Sequence, residues 1–248
     1  MLTVRVPRIF HDGIYAAGDN IQLSPDASHH VINVLHMKPG QSIILFNGGG
    51  GYFDCTIQSV VRKHNVDVEI GQHHTDDKTP TLHLTLAQGV ARGQRMDYTL
   101  QKAVELGVTG IVPVLCEHGT VKLAGERQDK RLEHWRKLII NACEQCGVNR
   151  IPSLQSPQNL DDWVGKQCTG LKIILHPESE RSLSHLRQPD RNIVLLVGPE
   201  GGFSDREVRL ALANGYQAVR FGPRVLRTET AAVVAITACQ VLWGDICA

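Results

Sequence analysis

Between Ile193 and Val197 the chain runs through five consecutive aliphatic residues and then breaks at Gly198-Pro199-Glu200-Gly201-Gly202. Ser204 and Glu207 follow at the spacing of a helix N-terminal capping box. A strand with no polar face needs cover on both sides, which places it at the centre of a parallel sheet flanked by helices. In open α/β sheets ligands bind beyond the carboxyl ends of such strands, and here that end is the glycine-rich turn.

The surrounding chain repeats the pattern. Leu82 to Ala87, Ile111 to Leu115, Lys172 to Leu175 and Ala218 to Phe221 read as further strands. Met96, Leu100, Ala103 and Val104 recur at helical spacing and stop at Gly107, a suitable C-terminal cap. Leu132, Trp135, Leu138, Ile139 and Ala142 mark a second helix. A capped helix over 205–214 and a last one from about Thr230 to Trp243 complete an α/β series.

The N-terminal part differs. Ile43 to Phe46, Tyr52 to Val61 and Asn65 to Ile70 are β-prone runs between turn residues, the signature of a small β-barrel. Asn47 to Gly51 holds four successive glycines but lacks the Lys-Ser/Thr of a phosphate loop and opens no helix, so it reads as a hairpin tip. Gln72 to Thr81 is polar and aperiodic, with His73 and His74 read as solvated linker residues. The expected division is 1–72 for the barrel and 73–248 for the α/β domain.

Composition excludes several classes. No stretch approaches the roughly 18 apolar residues of a membrane span, and Arg5 and Arg8 interrupt the first residues without a signal-type apolar block, so a cytoplasmic protein is expected. The seven cysteines are an odd number and lie mostly in apolar runs, as core thiols do in a reducing compartment. Cys143 and Cys146 form C-x-x-C, but in a helical pattern with no second pair, and no metal is expected. The net charge of +1 hides clusters: Arg92, Arg95 and Lys102; Lys122, Arg127, Lys130, Arg131, Arg136 and Lys137; Arg220, Arg224 and Arg227. Glu126, Asp129 and Glu133 turn the middle cluster into a solvated helix face, whereas the last cluster lies off any charge-alternating helix.

Three loops leave strand ends in the latter part: His176-Pro177-Glu178, Gly198 to Gly202, and Gly222 to Thr230. Carried by neighbouring strands, they would meet on one rim where main-chain groups and apolar side chains suit a purine. The dinucleotide fingerprint and the Walker lysine are both missing, which favours a nucleoside without phosphate, such as S-adenosylmethionine. Tight turns of an ordinary α/β protein are the competing reading.

Gly198 to Phe203, Leu226-Arg227-Thr228-Glu229-Thr230-Ala231, Asn141 to Gly147 and Gln101 to Gly107 occur in one order. Together with the β-rich N-terminal region, they resemble the RsmE-type 16S ribosomal RNA uridine-N3 methyltransferases of the SPOUT superfamily. The resemblance covers nearly the whole chain. It implies a PUA-like RNA-binding barrel followed by a methyltransferase domain with a deep trefoil α/β knot, working as a homodimer. It also implies methylation of N3 of a uridine, position 1498 in 16S ribosomal RNA. The partner would be that RNA or the small ribosomal subunit, with no membrane or metal involved.

By motif matching, S-adenosylmethionine would rest on Leu175 and His176, on Leu196, Val197, Gly198, Pro199, Glu200, Gly201 and Gly202, and on Pro223, Leu226, Thr228, Thr230 and Ala231. RNA would meet Arg8, Arg92, Arg95 and Lys102. The family commonly has Val-Leu-Arg where this chain has Val34-Leu35-His36, which weakens one cation in the barrel. Arg227 and Glu229 are the candidate catalytic pair, the arginine steadying charge on the uracil and the carboxylate taking the proton or orienting the arginine. The bland alternative pairs them with each other or uses Thr228 and Glu229 to cap the last helix. Glu144 and Asn141 would support a neighbouring loop. A non-catalytic RNA-binding assembly factor of the same fold and a Rossmann-type metabolic enzyme are the remaining alternatives.

Overall fold

The computed structural model describes residues 6–61, 65–76, 78–121, 123–166 and 168–247. Two of the cations above, Arg5 and Lys122, lie outside them. The chain forms two units, one of Met1–Thr79 with Cys143–Ile151, the other of Pro80–Ala142 with Pro152–Ala248. The segment 143–151, read from sequence as part of the α/β region, belongs structurally with the N-terminal unit.

In the first unit, β1 (Arg8–Phe10), β2 (Asn20–Gln22), β3 (Ser42–Phe46), β4 (Tyr52–Val61) and β5 (Asn65–His74) form one sheet in the order β1-β3-β4-β5-β2. β1 runs parallel to β3 and the other pairs are antiparallel. The Asn47–Gly51 turn joins β3 to β4 as a hairpin tip, with Gly48, Gly50 and Gly51 in the left-handed region that favours glycine. Register shifts in β4 at Phe53/Cys55 and Ile57/Ser59 are bulges of the kind that bend a strand. The inward residues Ile43, Leu45, Ile57, Val66, Val68 and Ile70 share one buried core. Helix α1 (Pro25–His29), capped by the Ser24 side chain, contributes Ala27 to it. A π-helical turn over His30–Val34 adds Val31 and leads to His36, an exposed residue with φ 52°.

One expectation is corrected here. β5 does not end at Ile70 but continues to His74 through the stretch read as linker. The two histidines are held rather than merely solvated: His74 stacks on Tyr52 at 4.8 Å and bonds Asp54 at 2.7 Å, and His73 tilts against Phe53. Aromatic cross-strand pairing substitutes for the missing hydrophobic alternation.

The second unit contains β6 (His83–Gly89), α2 (Gln94–Glu105), β7 (Gly110–Leu115), α3 (Glu126–Cys146), β8 (Ser153–Leu154), β9 (Gln158–Asn159), α4 (Leu160–Val164), β10 (Leu171–Leu175), β11 (Asn192–Val197), α5 (Asp205–Ala213), β12 (Gln217–Val219) and α6 (Thr228–Trp243). Helix α3 starts in this unit and its end belongs to the first. The sheet order is β12-β10-β11-β6-β7-β8, with β9 also on β7, and every pair is parallel. Helices cover both faces, as the unbroken apolar strands require. Trp163 of α4, Ala211 of α5 and Tyr216 pack on Val112, Ile174, Val194 and Leu196. Opposite them, α6 packs on β6 and β11, and α2 on α6.

Pro113 sits inside β7 because of a local gap. β8 pairs with Gly110 and Ile111 and β9 with Val114 and Leu115, leaving a break opposite Pro113. The Val114 carbonyl faces β6 and the Ile111 carbonyl faces β8, so alternation turns the proline nitrogen into that break, where no donor is needed.

Helix α2 ends at Gly107, φ 82°, as the glycine stop signal predicts. The buried Gln240 amide of α6 donates to the Leu106 and Gly107 carbonyls at 3.0 and 3.2 Å. A Cβ on Gly107 would lie 2.8 Å from that amide nitrogen. Replacing Gln240 by Leu strips two carbonyls of their donor, and a loss of about 2 kcal/mol is expected in denaturant unfolding.

Candidate active site

β12, β10 and β11 are adjacent and parallel, so the three loops singled out in the sequence leave the sheet side by side. They enclose a cavity of about 580 Å³. Leu175 and His176 line it from β10, Val197 through Gly202 from the β11 turn, and Leu226, Arg227, Thr228, Glu229 and Ala231 from the approach to α6. Leu196, Pro223 and Thr230 do not line it. Leu196 precedes Val197 on a strand, so its side chain points to the opposite face and packs with Tyr216 in the core. Thr230 is exposed on α6, and Pro223 serves the loop rather than the wall.

The cavity also takes in Arg95, Pro177, Phe203, Val219, Arg220, Phe221, Arg224 and Val225, none of which the motif match assigned to the cofactor. Phe203 follows the glycine turn directly, and Val219 to Arg224 continue the strand that delivers the last loop. Reading the loops as continuous walls would have found all of them but Arg95, which reaches the cavity from α2. β12 itself stops at Val219, two residues before the expected end, where the Arg220 amide turns away to the Arg181 carbonyl.

Two residues unmarked in the sequence hold the turn. Gly89, at the end of β6, approaches the Gly198-Pro199 backbone so closely that a Cβ would stand 2.4 Å from the Pro199 nitrogen. Next to it, the fully buried Gln88 amide donates to the carbonyls of Gly89 at 3.0 Å and Gly198 at 3.4 Å and to Thr228 Oγ1 at 2.9 Å. Thr228 Oγ1 in turn donates to the Gly198 carbonyl at 2.5 Å. One side chain thus ties β6, the β11 turn and the start of α6 together.

Outside the turn, Gly201 lies against His118: the His118 ring nitrogen is 3.1 Å from the Gly201 carbonyl, and a Cβ on Gly201 would come within 2.8 Å of His118. The capping box forms as spaced, with the Ser204 side chain accepting from the Glu207 amide at 3.2 Å and Glu207 accepting from the Ser204 amide at 2.8 Å. The other oxygen of the buried Glu207 takes the Glu117 amide at 2.8 Å, fixing the loop that carries His118.

Glu200 accepts from the Arg92 amide at 2.9 Å and from the Arg95 guanidinium at 3.0 Å. Burial by itself raises its pKa, but these donors and the Arg95 charge outweigh it and hold the carboxyl below the ordinary range. Helix α6 begins at Thr228 rather than Thr230, with Arg227 as its extended N-cap residue and no side-chain capping bond. The Thr228 hydroxyl is committed to Gly198, so the capping alternative for it does not hold. Glu229 Oε2 is buried at the cavity wall without a hydrogen-bond partner among the described residues.

Residues 77–240 match the RNA methyltransferase domain and residues 23–71 the RNA methyltransferase PUA domain. The ribosomal RNA small subunit methyltransferase E of Buchnera aphidicola from Acyrthosiphon pisum is 33% identical over 97% of this chain and 95% of its own. The chain belongs to the ribosomal RNA small subunit methyltransferase E family. Its fold agrees with that of the Neisseria gonorrhoeae member bound to S-adenosyl methionine, at TM-score 0.90, 39% identity and coverage of 98% and 100% of the two chains. A methyltransferase of Legionella pneumophila, solved in complex with the same cofactor, superposes at TM-score 0.95 with 41% identity over 98% and 100%.

Within this family member, the cations matched to RNA have internal partners. Arg8 lies over the Phe46 and Tyr52 rings, 5.3 Å from each centroid, and bonds Asn149. Lys102 bonds both oxygens of Glu105 at 2.8 Å. Arg92 Nε donates to Thr120 at 2.7 Å. Lys130 and Lys137 face Glu126 and Glu133 at 3.9 and 3.5 Å on α3, the solvated arrangement expected there. Glu144 accepts from the Phe10 amide at 2.9 Å, so the element it supports is β1. Burial above all, with Cys146 and Glu144 nearby, pushes the Cys143 thiol up to about 12, opposite to what a redox C-x-x-C needs. Among the described residues no His/Cys/Asp/Glu group could hold a metal.

Gly89→Ala places a methyl group where the Pro199 backbone stands. A loss of about 2–3 kcal/mol in unfolding free energy is expected, together with weakened ligand binding at the turn, checked by denaturation and calorimetry. The Glu200 tie gives a pH test. A carboxylate with lowered pKa stabilises the fold above the unfolded value of roughly 4.3 and loses that contribution as pH falls through the native value. Melting temperatures followed from pH 7 to 3 should fall more steeply in the parent than in Glu200→Gln.

Proposed function

We propose that the protein transfers a methyl group from S-adenosylmethionine to N3 of a uridine in 16S ribosomal RNA, position 1498 by the family resemblance. The observation that carries this reading is Glu229: a carboxylate oxygen buried without a partner in the wall of a cavity built from main-chain turns, beside Arg227. Buried polar atoms are ordinarily satisfied, and one left open at a ligand cavity is a group awaiting a proton donor.

The cavity fits the cofactor. Its volume of about 580 Å³ lies within the usual range for small-molecule sites of roughly 300–1,000 Å³. Val197, Val219, Phe221 and Leu226 offer apolar cover for a purine, and the Gly198–Gly202 turn offers backbone groups without side chains in the way. The solved relatives that carry S-adenosylmethionine support this assignment. The motif set from Leu175 to Ala231 is the proposed cofactor site, with Leu196, Pro223 and Thr230 acting through backbone or packing.

Bound there, the cofactor supplies an electrophilic methyl carbon on a positively charged sulfur. The uracil imide is a poor nucleophile while N3 keeps its proton. Glu229 would take that proton and Arg227 would stabilise the charge spreading onto the uracil oxygens, leaving N3 as the nucleophile for the methyl group that the cofactor would supply. Gln88 and Thr228 hold the turn and the reactive segment in fixed relation.

The N-terminal β-rich unit, expected from sequence as 1–72 and extended by the course of β5 and by Cys143–Ile151, is the proposed RNA-binding module, and the second unit is the proposed methyltransferase domain whose last helix threads the α/β knot that the family resemblance implies. The protein is proposed to act in the cytoplasm as a homodimer, with 16S ribosomal RNA or the small subunit as partner. Val241, Leu242 and Ile246, exposed at the end of α6, support self-association. No helix among the described residues is long and apolar enough to cross a membrane.

Glu229→Gln and Arg227→Ala should each lower kcat by about 100-fold or more while S-adenosylmethionine affinity stays within about threefold. Methyl transfer to 16S ribosomal RNA, mapped by mass, with separate calorimetry of the cofactor, reads both numbers. Parental turnover in either variant removes that residue from the chemistry, and a parent that binds no cofactor returns the non-catalytic assembly factor.

A further inference from the structure

The cavity mouth carries more positive charge than its first ligand can use. Arg95, Arg220, Arg224 and Arg227 line it, against two carboxylates, Glu200 and Glu229. Glu200 is taken by Arg95 and the Arg92 amide. The β12–α6 loop itself carries three arginines and no acid, and Glu229 follows on the first turn of α6. The guanidinium groups of Arg220 and Arg224 have no ion-pair or hydrogen-bond partner among the described residues, and both residues are exposed.

Several other cations of this unit are engaged. Arg206 binds Asp161 through two nitrogens at 2.8 and 3.0 Å as well as Glu117. Lys102 is paired with Glu105, and the Lys172 ammonium donates to the Asn214 carbonyl at 3.3 Å beside the Tyr216 ring. Arg220 and Arg224 combine open guanidinium groups with a place on an anchored loop at the cavity. The Arg220 amide donates to the Arg181 carbonyl at 2.8 Å, the His176 amide to Val219 at 3.0 Å, and Thr228 closes the far end on Gly198. Gly222, φ 70°, and Pro223 set the turn between them. Their stems therefore start from fixed points at the rim.

S-adenosylmethionine carries one carboxylate beside its sulfonium and its ammonium, so its net charge is positive and it offers the rim one anionic group at most. The rim serves a second, anionic ligand. From these placements we infer that Arg220 and Arg224 grip backbone phosphates of the RNA on either side of the uridine in the pocket. Planar guanidinium forks match phosphate oxygens in pairs, and such contacts fix position without reading sequence. A nucleotide turned out of its stack into a cavity must be held at its flanks, and the mouth of the cavity is where those flanks pass. Arg92, Arg95 and Lys102, which the motif match sets against RNA, each have a partner within the fold, and the open guanidinium groups of Arg220 and Arg224 add to them.

This inference rests on the reading of the protein as an RNA methyltransferase, and the test separates the two. Binding of a 16S ribosomal RNA fragment containing the target uridine is measured for the full chain across a salt series, alongside S-adenosylmethionine calorimetry and melting curves. In Arg220→Gln and Arg224→Gln the slope of log K against log salt should shrink by about one each, and by about two together. RNA KM should rise about tenfold per substitution while kcat and cofactor affinity change less than about threefold. Arg224→Lys should keep the slope and lose part of the affinity, as a point charge without a fork would. Lys130→Gln, on the solvated face of α3, should leave the slope unchanged.

Parental slopes in both glutamine variants, or an equal fall in Lys130→Gln, overturn the inference and leave the methyltransferase reading standing. Tight, salt-insensitive binding of a protein instead of RNA at this rim also overturns it. A parent chain that neither binds the RNA fragment nor methylates it sinks the function itself.

Discussion

The site depends on one buried amide. Gln88 sits at the end of the central strand β6 with three acceptors in reach, two of them carbonyls, so its nitrogen and not its oxygen must face them. Those acceptors belong to β6, to the turn after β11 and to the first residue of α6, three segments far apart in sequence. Gly89 beside it removes the side chain that would hold the turn away. Every element of the cavity on that side takes its position from this meeting, including the loop that carries Arg227 and Glu229. A low-dielectric surrounding strengthens such a network when satisfied and penalises it heavily when one member is lost.

Much of the fold was legible because parallel strands buried on both faces must be apolar throughout, and β7, β10 and β11 lie within a residue of the runs that announced them. The capping box at Ser204 and the glycine stop at Gly107 are local codes and formed as spaced. β1, β2, α1, β8, β9 and α4 were not legible: none exceeds five residues, and none carries the apolar run that announced the equally short β3 and β10. β5 outran its hydrophobic pattern because Tyr52 and Phe53 pair with histidines, a tertiary match that no window along one strand can show.

The site shows the same division. Glycine-rich loops at strand ends were visible, and adjacency of β12, β10 and β11 brought them to one cavity. Assigning blocks rather than alternate residues put Leu196 in the wall when its side chain belongs to the core. Gln88 and Gly89 carry no motif, since their importance arises from what the fold brings against them. The paired states of Arg8 and Lys102 were likewise invisible: a cation's availability depends on its neighbours in space, and composition counts only its charge.

The nine residues of Cys143–Ile151 that join the first unit make it discontinuous in sequence. Glu144 receives the Phe10 amide, Asn149 receives Arg8, and the Asn149 amide returns a bond of 3.0 Å to the Asp76 carbonyl. Severing the chain at the linker would amputate the acceptors on which β1 relies, leaving a strand edge with ownerless donors. The β-rich module is therefore not a detachable cassette: during synthesis it must wait for the ribosome to deliver some seventy further residues before its own hydrogen bonding can be completed.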